Sequence, residues 1–345
     1  MNHRENYIRA ATFHSPQWIP CSMAFSPLTL TNHRGELSRL MRDHPRIFPE
    51  YDPDTFDYFD EMPAVYRKGE MFTDNWGCVW ANAIEGLEGQ VVGHPLADWK
   101  ALAAWRPPDP MKKSERADRD WGKIRAEIEE RKAKMLLTSG DAERLFDRLY
   151  FLRGFENLMM DVVEEPPELH TLIDMLAEHE HKVVDQWIGI GVDMITFHTD
   201  IGTQKGLMIS PKSFRKLLKP MFCSLFRKIR EAGSIVLLSS DGRIVEIIDD
   251  LVECGLNIHD PQLRANGIKD IVKAYKGKLC VNLDLDRQSF PFLAPDQLRD
   301  QVKSCVDAMY DPKGGLMVLA SIYGEVPLRN IEALCGAFED FCLAP

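Results

Sequence analysis

No run in the 345 residues approaches the roughly 18 apolar positions that a membrane span needs, which argues against a helical membrane protein. No G-x-G-x-x-G or P-loop stretch follows a β-rich run, which argues against a nucleotide-binding doubly wound sheet. Neither a C-x-x-C pair nor an H-E-x-x-H helix signature occurs, so the common zinc patterns are missing. Positive charge is in deficit. With 42 Lys and Arg against 53 Asp and Glu, the net charge of −11 disfavours nucleic-acid or anionic-membrane surfaces. The start, MNHRENYIRAATFHSPQW, carries no apolar signal-peptide core, so a cytoplasmic location is expected. Eight scattered cysteines read as reduced thiols rather than as a disulfide framework.

What is present is alternation. β-rich runs at 194–200, 234–240, 256–260, 278–286 and 315–321 are separated by helical patterns at 209–233, 241–255, 266–277 and 294–310, with a last helix at 327–341. QWIPCSMAF (17–25) and KMLLTSG (134–140) supply earlier strands, and long helices are expected over 141–163 and 168–191. Alternation at this spacing demands parallel strands with crossover helices. With no phosphate loop, and with polar residues at many strand ends, the expected architecture is an α/β fold, a (β/α)₈ TIM barrel forming one domain over 1–345. It would carry an N-terminal helical extension and, over 40–130, an insertion and helical layer covering the barrel mouth.

The strand ends carry the chemistry-bearing residues. His198, Thr199 and Asp200 close one run, Ser239, Ser240 and Asp241 another, His259 and Asp260 a third, and Asn282, Asp284 and Asp286 a fourth. Asp241 reads equally as a helix cap or a catalytic acid. His198 reads more readily as a packed histidine than as a ligand, and Asp260 before Pro261 as a turn residue. Asp284 and Asp286 interrupt an apolar run on one face and need partners. Arg153 and Glu156, three apart in FLRGFEN, form an intrahelical pair or a carboxylate-binding arginine near the mouth. Trp76, Trp80, Trp105 and Trp121 pack the core or wall a flat ligand's pocket, with packing the default. His170, His179 and His181 read as packing or solvent-facing residues on their helix.

In order along the chain, DRLYFLRGFENLMMDVVEEPPELHTLID, DIGTQKGLMISPKSFRKLLKP, SSDGRIVEIIDDLVECGLNIHDPQ and PLRNIEAL resemble the uroporphyrinogen decarboxylase superfamily. TDNWGCVW and RENYIRAATFHSPQWIP fit its less-characterised bacterial and archaeal branch, so the likeness spans about residues 4–340. The resemblance implies a (β/α)₈ barrel. True tetrapyrrole decarboxylases hold substrate carboxylates with an R-Q-A-G-R loop, where this chain reads PCSMAFSPLTL, without arginine. The corrinoid-dependent methyltransferases often bind zinc through H-x-C plus a later cysteine. Here those positions read Ser239-Ser240-Asp241 and LASIYGEVP.

The resemblance therefore implies a methyltransferase-type enzyme that demethylates a small methylated compound, such as a methoxylated aromatic. A corrinoid on a partner protein would accept the methyl. Asp200, Asp241 and Asp284 are its expected catalytic acids, and His198, Arg153, Glu156, Gln204, Ser239 and Trp76 its expected substrate contacts. A harder metal site would draw on His198, Asp200, Asp241 and Asp284. The alternatives are a decarboxylase or other lyase in which Arg153 binds a small carboxylate, or a non-catalytic binding barrel.

Overall fold

Seven of the β-rich runs pair into one parallel sheet in the computed structural model, which describes residues 1–343. They are β1 (Cys21–Phe25), β5 (Ser139–Asp141), β6 (Met194–His198), β7 (Ile235–Ser239), β8 (Ile258–His259), β9 (Cys280–Asp284) and β10 (Leu316–Ile322). The order β1-β10-β9-β8-β7-β6-β5 curls into a half-barrel with helices between its strands. The architecture is TIM-barrel-like, realised with seven ladder strands, and β1 and β5 are the two edges. A seam separates them where a fully closed ring would pair them.

β6 and β7 are buried except at their last residues, as expected for parallel strands covered on both faces. Alternation decides direction. Met194, Ile235, Leu237, Ile258, Cys280 and Met317 point inward and pack on Ala10 and Ala11 of the helix His3–Ala11, which closes the barrel floor. Asn2 caps that helix by accepting from the Glu5 amide. Phe197 points outward and meets Phe226 of the helix Lys219–Glu231 with ring centroids 5.1 Å apart. Burying each such ring is worth about 1.5–3 kcal/mol.

The 40–130 insertion differs from the helical layer expected. It holds an antiparallel sheet of β2 (Met71–Thr73), β3 (Val79–Ala81) and β4 (Gln90–Gly93). It lies beside the loops that follow β1 and β5: Gly86 packs on Leu28, and Glu88 pairs with Arg144 at 2.9 Å.

Two other expectations are corrected. The helix expected over 141–163 is two, Leu145–Arg153 and Phe155–Glu164, because Gly154 at φ +84° turns the chain between them. The cysteines are not all free thiols. Cys223 and Cys254 form a disulfide, made possible because the helices Lys219–Glu231 and Ile248–Cys254 lie side by side and bring the two Cα atoms to 4.1 Å. No helix among the described residues is long and apolar enough to cross a membrane.

Candidate active site

Parallel strands of one sheet deliver their carboxyl ends to a single rim, and there the strand-end aspartates meet. The loops after β6 and β7 touch at Gly202 and Gly242. A Cβ on Gly242 would lie 2.5 Å from the Gly202 carbonyl carbon, and its φ of +83° also favours glycine. That close approach lets the Asp241 amide donate to the Asp200 carboxylate at 2.8 Å. Thr199 Oγ1 accepts from the amides of Phe146 and Asp147, tying the helix Leu145–Arg153 to the end of β6. Asp147 in turn accepts from the Asp200 amide at 3.0 Å and from the Tyr150 hydroxyl at 2.7 Å.

Across the rim, Arg287 joins two acids from different loops. Its guanidinium donates to Asp241 at 2.9 Å and to Asp284 at 3.1 Å, while lying 5.2 Å from the Tyr323 ring centroid. Asp284 Oδ2 makes that bond, its buried Oδ1 stays outside the bridge, and the Ser321 hydroxyl beside the carboxyl favours its charged form. Asp260 accepts from the Ser240 amide at 3.1 Å, and Gln262 accepts from the Gly242 amide at 3.0 Å.

Asp147, Asp200, Asp260 and Asp284 lie in a poorly hydrated place, so their carboxyls hold protons to higher pH. Burial pushes Asp260 and Asp147 up to about 7 and Asp284 up to about 6. For Asp284 the nearby Arg287 charge works in the opposite sense. Asp200 is raised too, first by burial. Acids of this kind can exchange protons near neutral pH.

The sequence candidates fall into two groups. Asp200, Asp241 and Asp284 are gathered at the rim, and Ser239 and His198 lie in register on adjacent strands there. His198 is exposed, 3.8 Å from Asp141. Gln204 reaches Gln262 at 3.4 Å on the same rim.

Arg153, Glu156 and Trp76 are not brought there. Arg153 is buried, pairs with Asp161 at 2.7 Å, donates to the carbonyls of Leu96 and Ala97, and lies 4.0 Å from the Trp99 ring centroid. Its donors are committed, so it does not present a free fork to a carboxylate. Glu156 is exposed beyond the Gly154 turn and makes no ion pair with Arg153. Trp76 is buried between Trp105 and His179 with Arg148 over its face, and it belongs to the insertion's core. His259 points into the helical layer, where it stacks on Tyr275.

Among the described residues, no three His, Cys, Asp or Glu side chains gather as a donor set. The reason is visible at the candidates themselves: Arg287 supplies the positive charge between Asp241 and Asp284, and Asp200 is turned toward an amide.

Arg287, Asp147 and Tyr150 are site residues that the sequence reading passed over. The signal for Arg287 was present in LDLDR: a cation three residues after an aspartate that needed a partner.

Comparison with known proteins places the chain in context. Residues 84–341 match the model of the family described as Uroporphyrinogen decarboxylase (URO-D). A methyltransferase from Methanosarcina mazei is similar in fold over 98% of each chain, with a TM-score of 0.64 and 17% identity. D-psicose 3-epimerase (TM-score 0.42, 7% identity, 66% of this chain and 86% of that one) and a 3-keto-D-glucoside 4-epimerase from E. coli (0.36, 15%, 64% and 86%) are more distant. No curated protein sequence matches the chain. With three quarters of its length matched, strands β5 to β10 and the strand-end rim included, the chain belongs to the uroporphyrinogen decarboxylase family.

Proposed function

We propose that the protein is a methyltransferase-type enzyme that demethylates a small, neutral methylated compound, with a corrinoid protein as methyl acceptor. The observation that carries this reading is the Asp241–Arg287–Asp284 bridge, which engages Asp284 through Oδ2 alone and leaves its carboxyl at about 6, with Ser321 as its other side-chain neighbour. Breaking a methyl–oxygen bond leaves charge on the oxygen, and a proton delivered there lowers the barrier. Asp284 holds that proton at the rim. As the methyl departs, the proton passes to the leaving oxygen, and the resulting carboxylate is stabilised by Arg287.

When docked, a reduced corrinoid supplies the nucleophile that accepts the methyl. Such docking needs an unsealed mouth, and the inward-facing residues Ser22, Ala24, Ser139, Asp141 and His198 are all exposed. The fold shared with the Methanosarcina mazei methyltransferase along its whole length supports the same reading.

The acid-rich rim, with Arg287 already bonded to two aspartates, is a poor host for a tetrapyrrole bearing many carboxylates. The decarboxylase alternative rested on Arg153, whose donors are spent on Asp161 and two carbonyls. The test is an assay with a reduced corrinoid protein and a panel of methoxylated aromatics. Methylated cobalt is expected with at least one, and none across a broad panel would overturn the reading.

A further inference from the structure

The seam between β1 and β5 is not filled. A cavity of about 740 Å³ opens there, within the size range of small-molecule pockets. Its walls come from Trp18, Phe48, Tyr51, Phe56, Leu136 and Leu137, which flank the two edge strands. Its inner end is formed by Ser22, Met317 and Asn282. Met317 belongs to the inward-facing cluster of the barrel, and Asn282 is its register partner, so the cavity passes from the side into the barrel interior.

The polarity of this cavity restricts what it can hold. Its charged residues are engaged with the protein: Glu50 with Arg131 at 2.8 Å, Lys134 with Glu130 at 2.7 Å, and Arg46 with the Leu343 carbonyl. His3 stands edge-on to Trp18 and is held toward its neutral form by burial and by the Arg46 charge. Tyr7 spends its hydroxyl on the Met194 sulfur. That leaves three groups without a hydrogen bond to the protein among the described residues: the Trp18 indole N–H on the wall, and the Ser22 hydroxyl and the Asn282 amide at the inner end, of which only the amide offers a separate donor and acceptor. Asn282 and Asp284 lie on one strand face two residues apart, about 7 Å.

We propose that this seam cavity is the binding site for the aromatic body of a neutral ligand. The ligand enters from the side, with an ether, hydroxyl or carbonyl oxygen hydrogen-bonded to Asn282 and its reacting end turned toward Asp284. Only the last clause rests on the function proposed above. The apolar walls supply affinity, and the single unpartnered amide orients the ligand.

The test is isothermal titration of the full chain with 2-methoxynaphthalene, a neutral aromatic with one ether oxygen. Saturable one-to-one binding is expected. Ser22→Phe fills the inner end from an exposed position and is expected to weaken binding at least 30-fold. Asn282→Ala removes the hydrogen bond and is expected to weaken it about 10-fold, the equivalent of ~1.4 kcal/mol. Circular dichroism melts verify folding, and Ser22→Leu replaces Ser22→Phe if the larger ring prevents it. Absence of binding by the natural sequence overturns the proposal, as does unchanged affinity in either folded variant. A failed cobalt-methylation assay leaves this result untouched, and failed binding leaves the acid rim untouched, so the two readings fall separately.

Discussion

Asp284 ends β9 and Arg287 follows it by three residues, 3.1 Å from nitrogen to oxygen, and the same guanidinium reaches Asp241, in the loop after β7 two strands away, at 2.9 Å. The arginine thereby turns two like charges into a bridged pair and fixes which oxygen of Asp284 faces the cation.

Removing that bridge separates a positioning effect from a folding effect. Arg287→Ala is expected to lower kcat/KM for methyl transfer roughly 100-fold, because Asp284 loses both its orientation and the cation that stabilises its carboxylate. Arg287→Lys restores only part, since one ammonium cannot span both acids as the planar fork does. The half-exposed Asp241 contact contributes about 0–1 kcal/mol, whereas buried Asp284 loses its cation and offsets that loss only by taking up a proton, so the melting temperature should change little at pH 5 and fall at pH 8. Steady-state kinetics together with a thermal melt check this.

Stability should fall as pH rises through neutrality. Asp260 and Asp147 at about 7, and Asp284 at about 6, bind their protons more tightly folded than unfolded. Their contribution is complete below about pH 4 and is lost as pH climbs through 6 to 7. Asp193 and Glu115, whose carboxyls are held below the usual range, act in the opposite sense and matter only at acid pH. Asp260→Asn keeps an acceptor oxygen for the Ser240 amide while removing one titration. Urea unfolding at pH 5 and pH 8 should show the variant losing less stability across the interval than the natural chain, by on the order of 1 kcal/mol or more. An unchanged difference contradicts the assignment.

Arg153 tests the opposite role. Arg153→Ala leaves Asp161 buried without its cation, and a loss of about 3–5 kcal/mol is expected. The double variant Arg153→Met with Asp161→Leu should recover much of it, because both members of the buried pair are then replaced by apolar groups. Chemical denaturation of the three variants decides, and a stable Arg153→Ala chain with altered substrate affinity would return this residue to the site.

These outcomes mark where the sequence was legible. The periods of two and of three to four residues placed all seven ladder strands, and the aspartates at 200, 241 and 284 followed from their ends. What could not be read was pairing across the chain. Arg153 and Glu156 share a face only in an unbroken helix, and the left-handed Gly154 removes that premise. Trp76 stands in a polar-looking stretch that folds into its own buried layer, and the bond between Cys223 and Cys254 depends on which two helices lie adjacent. The seam is of the same kind, since edge strands differ from interior ones only in what lies beside them.

The central claim is that Asp284 delivers the proton that lets the methyl leave. Its direct test is cobalt methylation by the natural chain and by Asp284→Asn at pH 6, with reduced corrinoid protein and a methoxylated aromatic that the natural chain demethylates. A rate at least 100-fold lower is expected in the variant with its fold intact, together with natural-chain activity that declines as pH rises above about 6. An Asp284→Asn enzyme as fast as the natural one, with the same pH profile, would contradict it.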